Sequence, residues 1–309
     1  MRTLIFFAAA AMLAAQSDRT ITADAAPGEL HFSANGETIT TLCRDNHIRT
    51  WEVATGKLVS AKPVTAGTTL LSATRAAERP AHGTVRIWDL TAGAQLRLIN
   101  GAPNGRTVMS GNGKQLAVAN ANERKVRLVN LETGEQRHAL EDGIGGAAEL
   151  VFSPDGEFLV SANYDNDVRV WKTRSGELVR KVEDLTGAMF AGEFTPDGKQ
   201  LVMAGLDETV YIWDANSFSP ARTFKGHGET ISALAISPDG RTLVTGGFDV
   251  ITTRNPVKVA FWDMTTGKII RTVKSPHRVV SLAFSPDGKW VAMTAGEKEI
   301  NLWKAPASN

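Results

Sequence analysis

The residues best placed for chemistry are acids at a recurring position. Asp45, Asp165 and Asp207 each lie six residues before a tryptophan (Trp51, Trp171, Trp213), and Glu297 holds the same place before Trp303. Asp249 occupies the matching position in a longer stretch before Trp262. Two carboxylates can share acid and base roles when they stand about 5–10 Å apart across one substrate. A position repeated along the chain selects no such pair, so the spacing points away from carboxylate catalysis. The six histidines are scattered, without the short spacings of metal-ligand motifs. Of these, His47, His82, His227 and His277 are expected in loops on one face, and no metal site is expected from them. Gly143-Ile144-Gly145-Gly146 and Ser110-Gly111-Asn112-Gly113-Lys114 are glycine-rich. A phosphate cradle needs a following helix N-terminus, and both stretches lead into strand-like runs, so they are expected to be loop and turn. No Gly-x-Ser-x-Gly elbow is present, and no cofactor is expected.

The elements that must carry these residues are repeats. Phe152-Ser153-Pro154-Asp155-Gly156 recurs as Phe194-Thr195-Pro196-Asp197-Gly198, Ile236-Ser237-Pro238-Asp239-Gly240 and Phe284-Ser285-Pro286-Asp287-Gly288, with a period of about 42 residues. A fixed period of this size signals stacked supersecondary units. Within a unit, Glu149–Phe152 reads as a strand and Ser153–Gly156 as a turn, since proline presets φ, aspartate bonds nearby backbone and glycine accepts positive φ. Phe158–Ser161, Val168–Trp171 and a run from Leu178 supply three more strands, separated by turns at Asn163–Asn166 and Ser175-Gly176. Four antiparallel strands repeated radially give a propeller.

Composition bounds the function. The 309 residues carry 34 basic and 33 acidic side chains, a formal net charge of +1, which leaves no footprint for nucleic acid. Met1-Arg2 followed by the apolar Leu4 to Ala15 reads as an export leader, because a bilayer-spanning helix needs roughly 20 residues. Cys43 is the only cysteine, in an apolar run, and is expected to be a small core residue. With no disulfide and no Asn-x-Ser/Thr sequon, export to a bacterial periplasm or the medium is the expectation.

The motifs resemble the WD40 family. Trp88-Asp89, Trp213-Asp214 and Trp262-Asp263 match its name-giving dipeptide, and Gly226-His227 its Gly-His signature. The resemblance covers about residues 19 to 308 and implies an all-β, seven-bladed propeller forming one domain over 16–309, a monomer that does not span a membrane. It also implies structural roles for Trp51, Trp88, Trp171, Trp213, Trp262, Trp303, His227, Asp45, Asp165, Asp207 and Asp249, the acids joining a network with a Ser or Thr of the second strand, the histidine and the tryptophan. Such propellers commonly bind partners on the face carrying the loops between blades and between the second and third strands. Arg44, Tyr164, Leu206 and Phe248, just before the acids, are expected there as anchors for a protein or peptide. The excess length at Asp249 to Lys258, with Arg254 and Pro256, is expected to overhang the same face. The expected function is a non-catalytic exported scaffold. The alternative is a hydrolase or lactonase whose acids or histidines converge at the channel mouth.

Two departures sharpen the expectation. Trp51 to Trp88 spans only 37 residues, so the first or the second strand of blade 2 is eroded. Aligning Phe284 with Phe32 places Arg271-Thr272-Val273 on Arg19-Thr20-Ile21 without a gap. The last unit lacks its own fourth strand, which the family resemblance assigns to Arg19–Ala23. Leader cleavage after Ala15 preserves that strand, whereas cleavage after Ala25 removes it.

Overall fold

The computed structural model describes residues 17–79, 83–100, 105–120, 124–141, 146–183, 185–248 and 256–306. They form seven four-stranded antiparallel sheets. Blade 1 runs Pro27–Phe32, Thr38–Cys43, His47–Glu52 and Leu58–Pro63, and the other blades repeat that order of strands, here called a to d from the axis outward. The repeated turn chemistry explains the regularity. In blade 4, Ser153 Oγ donates to Asp155 Oδ1 at 2.5 Å, the same carboxylate oxygen accepts the Glu157 N–H at 2.9 Å, and Gly156 takes φ of 75°. Asn112 replaces the aspartate in blade 3, where Ser110 Oγ bonds its Oδ1 at 2.8 Å. The stretch Ser110–Gly113 is therefore an a–b turn. Of the other glycine run, residues 143–145 lie outside the described residues.

The aspartate of Trp-Asp also has a turn role. Asp263 Oδ1 accepts the N–H groups of Thr265 and Thr266, each at 2.8 Å, which fixes the c–d turn. Asn130 does the same for Glu132 at 2.8 Å, so blade 3 keeps the turn although Val129 stands where others carry tryptophan, paired to Leu116.

The ring closes as the alignment of its two ends predicts. Arg19–Thr22 pairs antiparallel with Glu299–Lys304, with Arg19 opposite Leu302 and Ile21 opposite Ile300. Ile21 is 1% exposed and packs with Ile39 and Trp51 of blade 1 and with Ile300 and Leu302 of blade 7. The core lies between blades, one apolar cluster per joint. Blade 2 keeps both uncertain strands: Thr69–Ser72 and Arg75–Glu78 are each four residues long, joined by Ala73-Thr74 alone. Neither strand was lost; the shortening falls on both and on their turn. The joint to blade 1 is correspondingly thin, with Ile48, Leu70 and Ala76 as its buried cluster and a cavity of about 160 Å³ beside Trp88.

Candidate functional site

The b–c turns bring the expected anchors to one face of the ring. Tyr164 is 62% exposed and Leu206 44%. Arg44 is exposed on blade 1, its guanidinium beside Gly296 in the b–c turn of blade 7. Phe248 is half-buried, because the Arg278 guanidinium lies 4.6 Å over its ring and Phe190 stands 6.5 Å away at a 44° tilt. Leu206 packs close to Gly187, where an added Cβ would meet Leu206 Cβ at 2.9 Å. The expected residues therefore share a face, but the compact unit within it is Phe190, Phe248 and Arg278. Sequence reading missed Phe190 and Arg278, which sit at the start of strand a or in the loop before it, where no motif marks a position. Arg254 and residues 249–255 of the long loop, Asp249 included, lie outside the described residues, as do His82 and the leader.

The recurrent acids tie their turns, through partners other than those the resemblance implies. Asp45 accepts two bonds from Arg49, at 2.7 and 2.6 Å, and that pairing lowers its pKa to about 2. Asp165 pairs with Arg169 at 3.1 Å. Asp207 accepts the Tyr211 hydroxyl at 2.5 Å and also the Thr186 hydroxyl. Each acid thus reaches the residue four positions on, at the same place in strand c, rather than the tryptophan. The tryptophans find hydroxyls only where strand b supplies one: Trp171 Nε1 donates to Ser161 Oγ at 3.3 Å and Trp262 Nε1 to Thr245 Oγ1 at 2.8 Å. In blade 2 Glu78 accepts the Trp88 indole at 2.8 Å. In blade 7 Met293 occupies that place, and the buried Trp303 Nε1 has no partner among the described residues. His227 is fully buried, with Nδ1 3.1 Å from the Glu229 carbonyl, and desolvation lowers its pKa to about 4. His47 turns to Asp45 and His277 to Glu297, at 3.6 and 2.5 Å, so the loop histidines do not converge. Among the described residues no group of three His, Cys, Asp or Glu is arranged to hold a metal.

The axis of the ring carries charge that sequence reading placed in no site. Strand a of every blade lines a central cavity of about 630 Å³. Counting back from the residue before each a–b turn, the third position holds Glu29, Thr69, Arg106, Glu149 and Ser281 in five of the blades, forming a polar tier near the b–c turns. The last position before that residue holds His31 and Glu193 among Leu71, Val108, Ala235 and Ala283. Arg106 Nε donates to Glu149 Oε1 at 3.1 Å and its Nη2 to Oε2, joining blades 3 and 4. Glu29 accepts the Leu70 N–H at 3.2 Å and Glu193 the Ile236 N–H at 2.9 Å, each reaching the next blade. Desolvation raises the pKa of Glu29 and of Glu149, and raises that of Glu193 to about 7. The signal was present in the sequence: a charge inside a strand whose counterparts carry alanine, valine or leucine.

Glu193 makes stability depend on pH. Its folded pKa lies above the ordinary 4.5, so its contribution is fully present below about 4.5 and is lost as pH rises through about 7. Glu193→Gln stays neutral and keeps an acceptor for Ile236. The variant is expected to be more stable than the parent at pH 8, by up to about 3 kcal/mol, with the gap closing towards pH 4.5. Urea midpoints measured across that range check this, and a gap independent of pH would refute it.

A family model described as "WD domain, G-beta repeat" matches residues 136–172, 181–214, 218–249 and 267–304. A "Coronin-like protein" of Saccharomyces cerevisiae (strain ATCC 204508 / S288c) is 40% identical over 45 residues, which is 15% of this chain and 7% of that protein. The chain thus spans a small fraction of that relative's length. No helix among the described residues is long and apolar enough to cross a membrane. Four stretches that match the WD40 repeat and seven four-stranded blades together make the chain a seven-bladed β-propeller carrying WD40 repeats.

Proposed function

We propose that this propeller is a non-catalytic exported scaffold that binds a protein or peptide on the face bearing its b–c turns. The observation that carries the reading is the Phe190, Phe248 and Arg278 cluster, with Leu206 and Tyr164 exposed on the same face. Aromatic and arginine side chains supply most interface hot spots, and these stand on a rigid scaffold, which is where loops carry function. The short likeness to a coronin-like protein and a WD40 match over four repeats accord with a scaffold. Replacing Tyr164 and Phe248 by alanine is expected to weaken the partner at least about tenfold, since hot-spot truncations cost about 2 kcal/mol or more. A pull-down from the native envelope identifies the partner, and titration against both proteins, matched by melting temperature, reads the effect. Equal affinity would remove this face from the interface.

The second reading, a hydrolase at the channel mouth, draws on one observation: Glu29, His31, Glu149 and Glu193 do converge on the axis. Against it, Glu149 is held in an ion pair by Arg106.

A further inference from the structure

The axial cavity differs in kind from the loop face. Its outer tier, near the b–c turns, is polar, and its inner tier is apolar apart from Glu193 and His31. The carboxylates differ in how they are matched. Glu149 has a guanidinium in a two-point pair with Arg106. Glu29 shares the fields of Arg106 and Arg79 and bonds one backbone N–H. Among the described residues Glu193 has one N–H partner, Ile236, on Oε2, and it lines the cavity together with Leu71, Val108, Ala235 and Ala283. A lone carboxylate in an apolar wall is costly to keep ionised, and the backbone bond it makes could be made by a glutamine. Natural proteins accept such a cost where function needs it.

We propose that the axial cavity binds a small organic cation, an ammonium or guanidinium on an aliphatic stem, with the charged head on Glu193 and the stem along the apolar tier. The polar tier above it contains Glu29, Glu149 and Arg106, so its formal charge is −1, and it draws a cation inward rather than repelling it. The same head group reaches the cavity either on a free amine or on a basic side chain presented at the loop face. Because its pKa stands near 7, Glu193 is part-protonated at neutral pH. The arriving cation favours the carboxylate, so the proton leaves to buffer. Of the other groups facing the cavity, Arg106 keeps its charge, while Glu29, Glu149 and His31 sit in the fields described above.

Calorimetric titration of the full chain at pH 7 tests this with 1,5-diaminopentane, with Nα-acetyl-lysine N-methylamide and with neutral 1,5-pentanediol. Saturable binding of either cation is expected, with none for the diol, and the amine that binds identifies the source of the head group. Glu193→Gln is expected to weaken binding about tenfold or more, the scale of a charge-assisted bond. In the parent the binding heat should vary with the ionisation heat of the buffer, because a proton is released, and in the variant that dependence should vanish. The melting curve of the variant shows that it is folded. Failure of both cations to bind overturns the proposal, and so does binding that Glu193→Gln leaves unchanged. Either result leaves the loop-face reading intact, because Tyr164 and Phe248 are untouched.

Discussion

A chain lacking residues 16–25 is expected to melt at least about 10 °C below the full domain, or not to fold at all. The deletion removes Arg19–Thr22, whose four residues pair with Glu299–Lys304, and it uncovers Ile300 and Leu302, both fully buried. Losing the burial of Ile21 costs about 1.5–3 kcal/mol. The ladder hydrogen bonds contribute about 0.5–1.5 kcal/mol each. The sum exceeds about 4 kcal/mol, against a total of about 5–15 kcal/mol for most domains. At roughly 2–4 °C per kcal/mol for a domain of this size, the shift follows. A melting curve reads it, and an unchanged midpoint would show that blade 7 is complete without its fourth strand. The same strand bears on the proposed export. Release after Ala15 leaves the strand in place and gives Gln16 as the first residue in N-terminal sequencing, whereas release after Ala25 would yield the unstable form.

Trp262→Ala is expected to cost about 3–5 kcal/mol, the range for truncating a buried large aromatic. Trp262 is 1% exposed, lies 6.0 Å from Phe224 and packs against Val202 and Ala204 of the neighbouring blade. Its indole also satisfies Thr245 at 2.8 Å. Trp303 is as buried but its Nε1 has no partner among the described residues. The two phenylalanine variants separate packing from hydrogen bonding. Trp262→Phe loses a bond and leaves a buried hydroxyl, a cost of about 1–3 kcal/mol, while Trp303→Phe removes an unsatisfied donor. Denaturant midpoints should therefore rank Trp262→Phe as clearly the less stable of the two, and the reverse order would discard the Thr245 bond as a source of stability.

The ring could be read from the chain because its turns are chemically explicit. Ser153, Asp155 and Gly156 each have a local task that no distant contact alters, and the spacing from Phe to Trp repeats it. The closing strand was legible for the same reason, through the alignment of Arg19 with Arg271. Blade 2 was not, since a two-residue turn at Ala73-Thr74 leaves no signature and takes length from both flanking strands. The acids before the tryptophans were legible as turn residues, but their partners were not: Arg49, Arg169 and Tyr211 occupy one repeated place in strand c with two chemistries, ionic for the arginines and a hydroxyl bond for the tyrosine. The axial charges escaped for a geometric reason. Period-two alternation assigns a strand one wet and one dry face, yet strand a looks onto a shared axis where the wetness depends on all seven blades together. No single repeat contains that information. The Phe190 and Arg278 contacts with Phe248 likewise join two blades through a loop without a motif.

The pairing of Arg19 with Leu302 sets the order in which the molecule can be finished. Hairpins within a blade join residues about ten apart, whereas this pairing joins the start of the domain to its end. Loop-closure entropy grows with the logarithm of separation, by about 0.6 kcal/mol per doubling. The difference, roughly five doublings, amounts to about 3 kcal/mol that local hairpins do not bear. Six blades can be assembled as they emerge, but the seventh waits for the last strand to be made and for the first to still be free. Until then Ile21, Ile300 and Leu302 have no cover, and the unfinished ring presents an open strand edge, the form in which such proteins add to one another.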